Sequence, residues 1–116
     1  MATDPDCLFC KMASGAFEVD KLHDDDLAFA IRDVNPRAPT HLLVIPKEHI
    51  PSANDLTEEQ GLLLARLFAI ARRLTAELGL AERGYRLAVN VGPEGGQTIY
   101  HLHIHILAGR KLGAEG

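Results

Sequence analysis

The sequence is poor in aromatic residues and has no excess of basic ones. It contains no tryptophan, and phenylalanine and tyrosine together make up 5% of its 116 residues. Twelve Lys and Arg residues against sixteen Asp and Glu residues give a formal net charge of −4. Proteins that bind nucleic acids regardless of sequence need a basic face that displaces the counterions of the phosphates. This class of function is therefore disfavoured, although a local pocket could still bind a small anion.

Long hydrophobic runs are also absent. No apolar run reaches the ~18 residues that a membrane span needs, and the N-terminal MATDPDCLFC is acidic where a secretion signal would be basic and then apolar. We therefore expect a cytoplasmic protein that does not bind membranes. The only two cysteines are Cys7 and Cys10, and in a reducing compartment we expect thiols or metal ligands instead of a disulfide.

The chain has the length of one domain. Its hydrophobic content of 47% is enough to enclose a core. It shows no internal repeat, low-complexity tract or linker. We predict a single domain over residues 1–116, with a core from about 7 to 110 and a polar tail over 111–116.

Two helices are predicted. Thr57 and Gln60 form a T-x-x-Q capping box, which is typical of a helix start. Apolar residues then recur at spacings of three and four until Gly79, at Leu63, Leu67, Ile70, Leu74 and Leu78. A shorter helical segment is predicted over residues 7–14, ended by Gly15.

Five segments have the length and apolar content of strands, over residues 19–23, 27–31, 41–46, 86–91 and 99–107. The first two flank the aspartates at 24–26 and are predicted to form a hairpin. Residues 33–39 are predicted as a loop, because two prolines and an asparagine suit neither a helix nor a central strand. Strands before and after the long helix, with hairpin-length connections, predict an α+β fold with a mainly antiparallel sheet.

Histidine alternates with apolar residues in HLHIHI, over residues 101–106. In a strand this period of two places three imidazoles on one face and the apolar side chains in the core. A histidine-rich strand face without a function is the alternative interpretation, but half of the six histidines fall within these few residues. Imidazoles in this arrangement can form a three-histidine zinc site or hold one ring as a nucleophile.

The residues before this segment favour chemistry at phosphorus. GPEGGQ spans residues 92–97, and its three glycines give a flexible backbone whose amides can turn towards a phosphate. Gln97 and Thr98 add side-chain donors. An ordinary hairpin turn would look similar, but donors directed at an anion favour phosphoryl chemistry over attack by a zinc-bound water.

HLHIHIL resembles the signature of the histidine triad (HIT) family, His-φ-His-φ-His-φ-φ with φ apolar. The segments RDVNPRAPTHLLVIPKEHI, GYRLAVNVG and GGQTIYHLHIHILAGR resemble the Hint-like nucleoside phosphoramidase branch of that family. The likeness extends over about residues 7–110. It implies the HIT fold, which is a five-stranded antiparallel sheet with one short and one long helix. It also implies a symmetric homodimer paired through the long helix and a strand.

The resemblance also assigns roles to individual positions. His103 would be the nucleophile, which attacks the α-phosphorus and forms a nucleotidyl-histidine intermediate that water hydrolyses. His105 would contact the α-phosphate oxygens, His101 would orient the nucleophilic ring, and His41 would support the triad from the neighbouring strand. Asp33 would accept the ribose hydroxyls. The remaining positions are phosphate contacts at Asn90, Gly96, Gln97 and Thr98, and an apolar slot for the base at Phe9, Met12, Ile31 and Val34.

The activity implied is hydrolysis of purine nucleoside 5′-phosphoramidates or other conjugates of AMP or GMP. A neutral imidazole is a competent nucleophile near pH 7 and its phosphoryl product is labile, so no cofactor is expected for catalysis. A dinucleoside polyphosphate hydrolase or nucleotidyltransferase of the same superfamily would also use His103, but the GGQT segment favours the phosphoramidase branch. A nucleotide-sensing protein with weak catalysis is the alternative from another functional class.

The Cys7-x-x-Cys10 pair has the spacing of a zinc half-site, and His49 and His101 could complete a Cys2His2 set. The resemblance supports a structural zinc there, because family members with a similar CxFCK start bind one. Two thiols in a first helical turn are the alternative, and a redox pair is disfavoured because the βαβ context is missing. If His101 binds zinc, it must orient His103 through its other ring nitrogen or not at all.

Overall fold

The computed structural model describes residues 1–116 and confirms the α+β class. The helices are α1 (Leu8–Ser14) and α2 (Gly61–Glu77), and the strands are β1 (His23–Asp24), β2 (Ala28–Arg32), β3 (Thr40–Pro46), β4 (Arg86–Ala88) and β5 (Ile104–Ala108). The five strands form one sheet in the order β1-β2-β3-β5-β4, in which every pairing is antiparallel. Neither helix combines the length and the hydropathy of a membrane-spanning segment.

The register of the central strands aligns residues across the sheet. Leu43 of β3 lies opposite Ile31 of β2 and opposite His105 of β5, and His105 in turn lies opposite Ala88 of β4. Residues directly opposite each other share a sheet face. These four residues therefore form one row across the sheet, which leads from an apolar region to a histidine.

Apolar residues alternate along the strands and give the sheet a core on each face. One core lies under α2, whose Leu67 and Ile70 are fully buried with the apolar side chains of β3 and β5. The other core joins Phe29, Leu43 and neighbouring residues to Phe9 of α1. Burial of one such side chain contributes about 1.5–3 kcal/mol, so both cores stabilise the sheet.

Local capping structures lie at both ends of α1 and in the turn that precedes α2. The predicted capping box is present, since Gln60 accepts a hydrogen bond from the amide of Thr57 at 2.7 Å, but it opens a 3-10 turn over Glu58–Gln60. Helix α2 then begins at Gly61. The sulfur of Cys7 caps α1 by accepting from the amide of Cys10, and Gly15 ends α1 with a φ of 85°.

The last strand is shorter than predicted. We expected residues 99–107 to be extended, but β5 begins only at Ile104, because the amide of Leu102 donates to Ile50 in a loop at 2.7 Å. His101 and His103 therefore precede the strand. The apolar residues of the segment still reach the core under α2, and the histidines lie on the opposite side, where they are also buried. Strands β1 and β4 are likewise shorter than the predicted 19–23 and 86–91.

Candidate active site

A cavity of about 430 Å³ opens on the α1 face of the sheet. It lies where α1, the β2–β3 loop, the glycine-rich loop and the histidine segment meet. Its walls comprise an apolar set and a polar set: Phe9, Met12, Ile31, Leu43 and Ile99, and Asp33, Arg37, Thr98, His103 and His105. The row from Ile31 through Leu43 to His105 forms part of its floor.

His103 is held with one defined nitrogen available for reaction. Its Nδ1 lies 2.7 Å from the main-chain oxygen of His101, and because a carbonyl only accepts, Nδ1 carries the proton. Nε2 therefore has the lone pair. Burial lowers the pKa of His103 below its usual value, so the ring is neutral near pH 7. A neutral imidazole with an unprotonated Nε2 beside a cavity is suited to nucleophilic attack.

His105 is held by a second chain of hydrogen bonds. The amide of Arg37 donates to Nδ1 of His41 at 3.1 Å, so the proton of His41 is on Nε2. That nitrogen donates to Nδ1 of His105 at 2.9 Å. Nε2–H of His105 therefore remains as a donor in a ring that lines the cavity. Burial, with the charges of neighbouring groups, lowers the pKa of His105 to about 4, and burial also lowers the pKa of His41.

Asp33 provides a carboxylate at the cavity wall. One of its oxygens accepts from the amide of Asn35 at 2.9 Å, and the other lies 3.4 Å from Nε2 of His41. The side chain is half-buried and keeps part of its surface towards the cavity. A carboxylate in this place can accept hydrogen bonds from the hydroxyl groups of a ligand.

The glycine-rich loop brings two of the four predicted phosphate contacts to the cavity. Gly96 and Thr98 line it, but the amides of Gly96 and Gln97 close the turn onto Pro93 and Gly92 instead of facing outward. The Gln97 side chain is buried and donates to two main-chain oxygens, at 2.8 and 3.1 Å. Gln97 therefore fixes the shape of the loop and does not line the cavity.

The remaining predicted phosphate contact, Asn90, lies outside the cavity. It donates to the main-chain oxygen of Gly95 at 2.7 Å. A side chain at Gly95 would place its Cβ 2.3 Å from the oxygen of Val91, so only glycine fits this close approach. Asn90 and Gly95 together stabilise the loop that carries Thr98.

All four residues of the predicted base slot line the cavity, but they differ in exposure. Phe9, Met12 and Ile31 are buried and line the cavity, whereas Val34 is 88% exposed at its rim. Arg37 lines the cavity as well, and it was not among the predicted site residues. Its Nη2 lies 3.4 Å from Nδ1 of His105, a contact that sequence spacing alone does not reveal.

A second cluster lies beside the cavity. Donor atoms of Cys7, Cys10, His49 and His101 lie within 4.8 Å of one another. Nε2 of His101 donates to the oxygen of Pro46 at 2.7 Å, so Nδ1 has the lone pair. That lone pair faces both sulfurs, at 3.3 and 3.5 Å, and Nδ1 of His49, at 3.1 Å. Burial lowers the pKa of His101 to about 4, which keeps the ring neutral.

The donor set of this cluster fits zinc. Tetrahedral zinc bonds of about 2.0–2.3 Å imply ligand separations of about 3.3–3.8 Å, and the measured N–S and N–N separations run from 3.1 to 3.5 Å. Thiolates with neutral imidazoles are the ligands of structural zinc sites. The three histidines of the triad segment, in contrast, do not form one ligand set.

From the sequence we expected a zinc-binding His101 to orient His103 through its other ring nitrogen or not at all. The structure shows a third arrangement. The two ring nitrogens of His101 face Pro46 and the cysteine cluster, whereas its main-chain oxygen holds His103. The ring can thus contribute to a metal site while the carbonyl orients the neighbouring imidazole. The sequence pattern could not show this division between side chain and main chain.

Comparisons with known proteins cover nearly the whole chain. The family model described as HIT domain matches residues 14–112. The purine nucleoside phosphoramidase of Escherichia coli strain K12 is 42% identical over 106 residues, which cover 91% of this chain and 89% of that protein.

Solved structures show the same likeness. A HIT family hydrolase from Legionella pneumophila Philadelphia 1 is similar with a TM-score of 0.92 and 44% identity, over 95% of this chain and 98% of that one. A histidine triad protein from Clostridium difficile is similar with a TM-score of 0.92 and 38% identity, over 97% of this chain and 98% of that one. Each structural likeness therefore spans both helices and the whole sheet.

Proposed function

The chain belongs to the HIT domain family and has the HIT fold, and from this premise we propose that it hydrolyses purine nucleoside 5′-phosphoramidates or related nucleoside monophosphate conjugates. The observation that carries the proposal is the tautomer of His103, whose Nδ1 is committed to the carbonyl of His101 at 2.7 Å. The likeness to a purine nucleoside phosphoramidase supports the substrate class.

The cavity can accommodate the base, the ribose and the α-phosphate of such a substrate in sequence. The purine base would pack against the apolar wall at Phe9, Met12 and Ile31. Asp33 would accept the ribose hydroxyls, as a carboxylate does. Nε2–H of His105 would donate to a non-bridging oxygen of the α-phosphate, which stabilises the charge that develops there.

The reaction would proceed in two displacements at phosphorus. Nε2 of His103 forms a bond to the α-phosphorus while the P–N bond breaks, and the amine leaves with that electron pair and takes up a proton. Water then attacks the phosphorus and the N–P bond breaks, so His103 regains its lone pair. One proton of the water is released, and the net products are AMP and the free amine.

The low pKa values of the histidines support this sequence. Near pH 7 the rings of His41, His103 and His105 are neutral, because burial lowers their pKa values. A neutral His103 is nucleophilic, and a neutral His105 retains one proton to donate. The phosphorylated His103 becomes cationic, which makes it a good leaving group in the second step.

We also propose that Cys7, Cys10, His49 and His101 hold a structural zinc ion. When bound, zinc would supply a fixed cross-link between α1 and the two segments that carry the histidines. Asp4 supports this set from outside, with a carboxylate oxygen 4.0 Å from Nε2 of His49. The residues that hold and attack the substrate lie in the adjoining cavity.

We propose further that the chain forms a symmetric homodimer and works in the cytoplasm. Strand β4 lies at the edge of the sheet, so its outer main-chain groups can pair with a second copy. Large apolar side chains are exposed on and near α2 and β4, namely Leu62, Phe68, Leu78 and Val89. Apolar exposure beside a sheet edge is typical of an interface.

The test is steady-state turnover of an AMP phosphoramidate by wild type, His103→Ala and His23→Ala. His23 lies on the edge strand β1, outside both histidine clusters, and provides the matched control. We expect kcat to fall at least about 1,000-fold in His103→Ala and to stay near wild type in His23→Ala. Turnover retained in His103→Ala would contradict the proposal, and so would nucleotide binding by wild type without any turnover.

A further inference from the structure

A second cavity of about 540 Å³ adjoins the first. Arg37 and His105 are the only residues that line both. Apart from them its walls come from β4, β5, Asn90 and the C-terminal segment, and its charged side chains are Arg86, Arg110 and Glu115. We call this space the cationic groove, because three arginines face one carboxylate there.

Arg37 and Arg110 are the cations of the groove that lack an acidic partner. No carboxylate lies within 4.0 Å of either guanidinium, whereas Arg86 has Glu115 at 3.6 Å. The main chain of Arg37 is fixed at both of its polar groups, since the amide donates to His41 and the oxygen accepts from Arg110 at 3.2 Å. The only side-chain contact of Arg37 is with His105, at 3.4 Å. The cation is therefore positioned but not neutralised.

The charge of Arg37 reaches the reacting groups. After burial, it is among the causes that lower the pKa values of His41, His103 and His105. The chain carries a net charge of −4, which on average repels anions. An anionic substrate group near the histidines would thus depend on local cations.

The cationic groove lies where the leaving group of the proposed substrate would lie. The row Ile31, Leu43, His105 runs from the apolar wall to the proposed phosphate contact, and the same row continues to Ala88 in the groove. With the nucleoside on the apolar wall and the phosphate at His105, the next space along the row is the groove. The group attached to phosphorus opposite the nucleoside would lie there.

We infer that Arg37 selects substrates whose leaving group carries a negative charge, with Arg110 as a second cation in the groove. The inference rests on the proposed function and specifies its substrate class. A guanidinium binds a carboxylate or a phosphate through paired hydrogen bonds. The leaving group would therefore be an amino acid linked through its amine and bearing a free carboxylate, or a phosphate chain linked through oxygen. In either case it departs with the electron pair of the broken P–N or P–O bond.

The test compares kcat/KM on three substrates: AMP joined through nitrogen to alanine with a free carboxylate, the methyl ester of that compound, and diadenosine tetraphosphate. The variants are Arg37→Gln and Arg73→Gln, whose guanidinium pairs with Glu77 on the surface of α2. We expect Arg37→Gln to lose roughly tenfold on one or both anionic substrates and less than about twofold on the ester. Arg73→Gln should match wild type on all three, since it removes the same charge on the other face of the sheet.

The outcomes separate the inference from the proposed function. A loss on the free carboxylate alone identifies amino-acid conjugates, and a loss on the tetraphosphate alone identifies phosphate chains. Equal losses on the ester and the anionic substrates, or no loss on any, would overturn the inference while turnover of the ester still supports the phosphoramidase activity. Failure of wild type to cleave any of the three substrates would overturn the proposed function and this inference together.

Discussion

At the scale of single residues, main-chain groups determine which nitrogen of each critical imidazole carries the proton. The carbonyls of Pro46 and His101 accept hydrogen bonds from Nε2–H of His101 and Nδ1–H of His103. The amide of Arg37 donates to Nδ1 of His41, so His41 donates through Nε2. Main-chain groups do not titrate, so these tautomers do not vary with pH while the rings are neutral. His101 thereby presents a lone pair to the cysteine cluster, His103 presents one at the cavity, and His41 donates to His105.

The lowered pKa of His105 makes stability depend on pH. In the unfolded chain a histidine binds a proton near pH 6.5, whereas in the folded protein His105 binds one only near pH 4. The unfolded state thus binds more protons between these values, and the free energy of unfolding decreases as pH falls from about 6.5 towards 4. Urea unfolding at pH 7.5 and 5 should show this decrease.

The variant His105→Gln isolates the contribution of that residue. It should lose less stability than wild type between pH 7.5 and 5, because it lacks one group that protonates on unfolding. An equal loss in both proteins would assign the pH dependence to other residues.

At this scale the sequence predicted positions better than contacts. The period of the HLHIHI segment correctly separated the histidines from Leu102, Ile104 and Ile106 in the core. It could not show the hydrogen bonds of the rings, because the partners of His105 and His101 are 64 and 55 residues away. For the same reason Arg37 was missed, and Gln97 was predicted as a phosphate contact although its side chain is committed to the loop.

At the scale of elements, α1 connects the cysteine cluster to the cavity that His103 lines. Its cap, Cys7, and its first turn, with Cys10, belong to the proposed zinc site, while Phe9 packs against His103 with a centroid distance of 5.2 Å. A helix of seven residues is too short to be stable alone. Its position must therefore come from contacts with the rest of the protein, including those of its cysteines.

Replacement of a zinc ligand tests this connection. Cys10→Ser should reduce bound zinc from about one ion per chain to a small fraction, lower the melting temperature and weaken AMP binding through Phe9. Metal analysis, thermal unfolding and calorimetric titration with AMP measure the three effects. The control Ser14→Ala changes the last residue of the same helix outside the cluster and should retain the metal. Full zinc content in Cys10→Ser would contradict the assignment of this residue as a ligand.

The boundaries of elements show what periodicity can and cannot predict. Apolar side chains reach the core under α2 at every second residue from Leu102 onward, but the β-ladder begins at Ile104, because alternation reports which face a side chain lies on and not which main-chain groups pair. The capping box at Thr57 was predicted correctly as a cap, yet it opens a 3-10 turn before α2. In the histidine segment the composition was informative, but the hydrogen bonding depended on the distant loop at Ile50.

At the scale of the whole molecule, one sheet separates a supporting layer from a functional one. Helix α2 and its core cover one face, and the cavity, the cysteine cluster and the cationic groove lie on the other, where α1 packs. The α+β class and the HIT fold were predictable, because the capping box, the strand-length segments and the triad motif agree with one another. The distribution of charge was not predictable, since a net charge of −4 does not show where the arginines cluster.

The proposed dimer gives a prediction at the same scale. Phe68 is 51% exposed on α2, and a charge there would be desolvated in an interface built on α2 and β4. Phe68→Glu should therefore halve the mass measured by sedimentation, whereas Lys11→Glu on the opposite face should not. If the wild-type protein sedimented with the mass of a single chain, that result would contradict the dimer directly.

In the proposed reaction His103 carries the nucleotide during turnover. The most direct measurement is the intact mass of the protein quenched during cleavage of an AMP phosphoramidate, for wild type and His103→Ala. We predict a species heavier by one adenylyl group (AMP less one water) in wild type and none in the variant, because Nε2 of His103 is the unprotonated nitrogen at the cavity. An adduct of the same size on His103→Ala, or rapid turnover by wild type with no adduct at any quench time, would contradict the account.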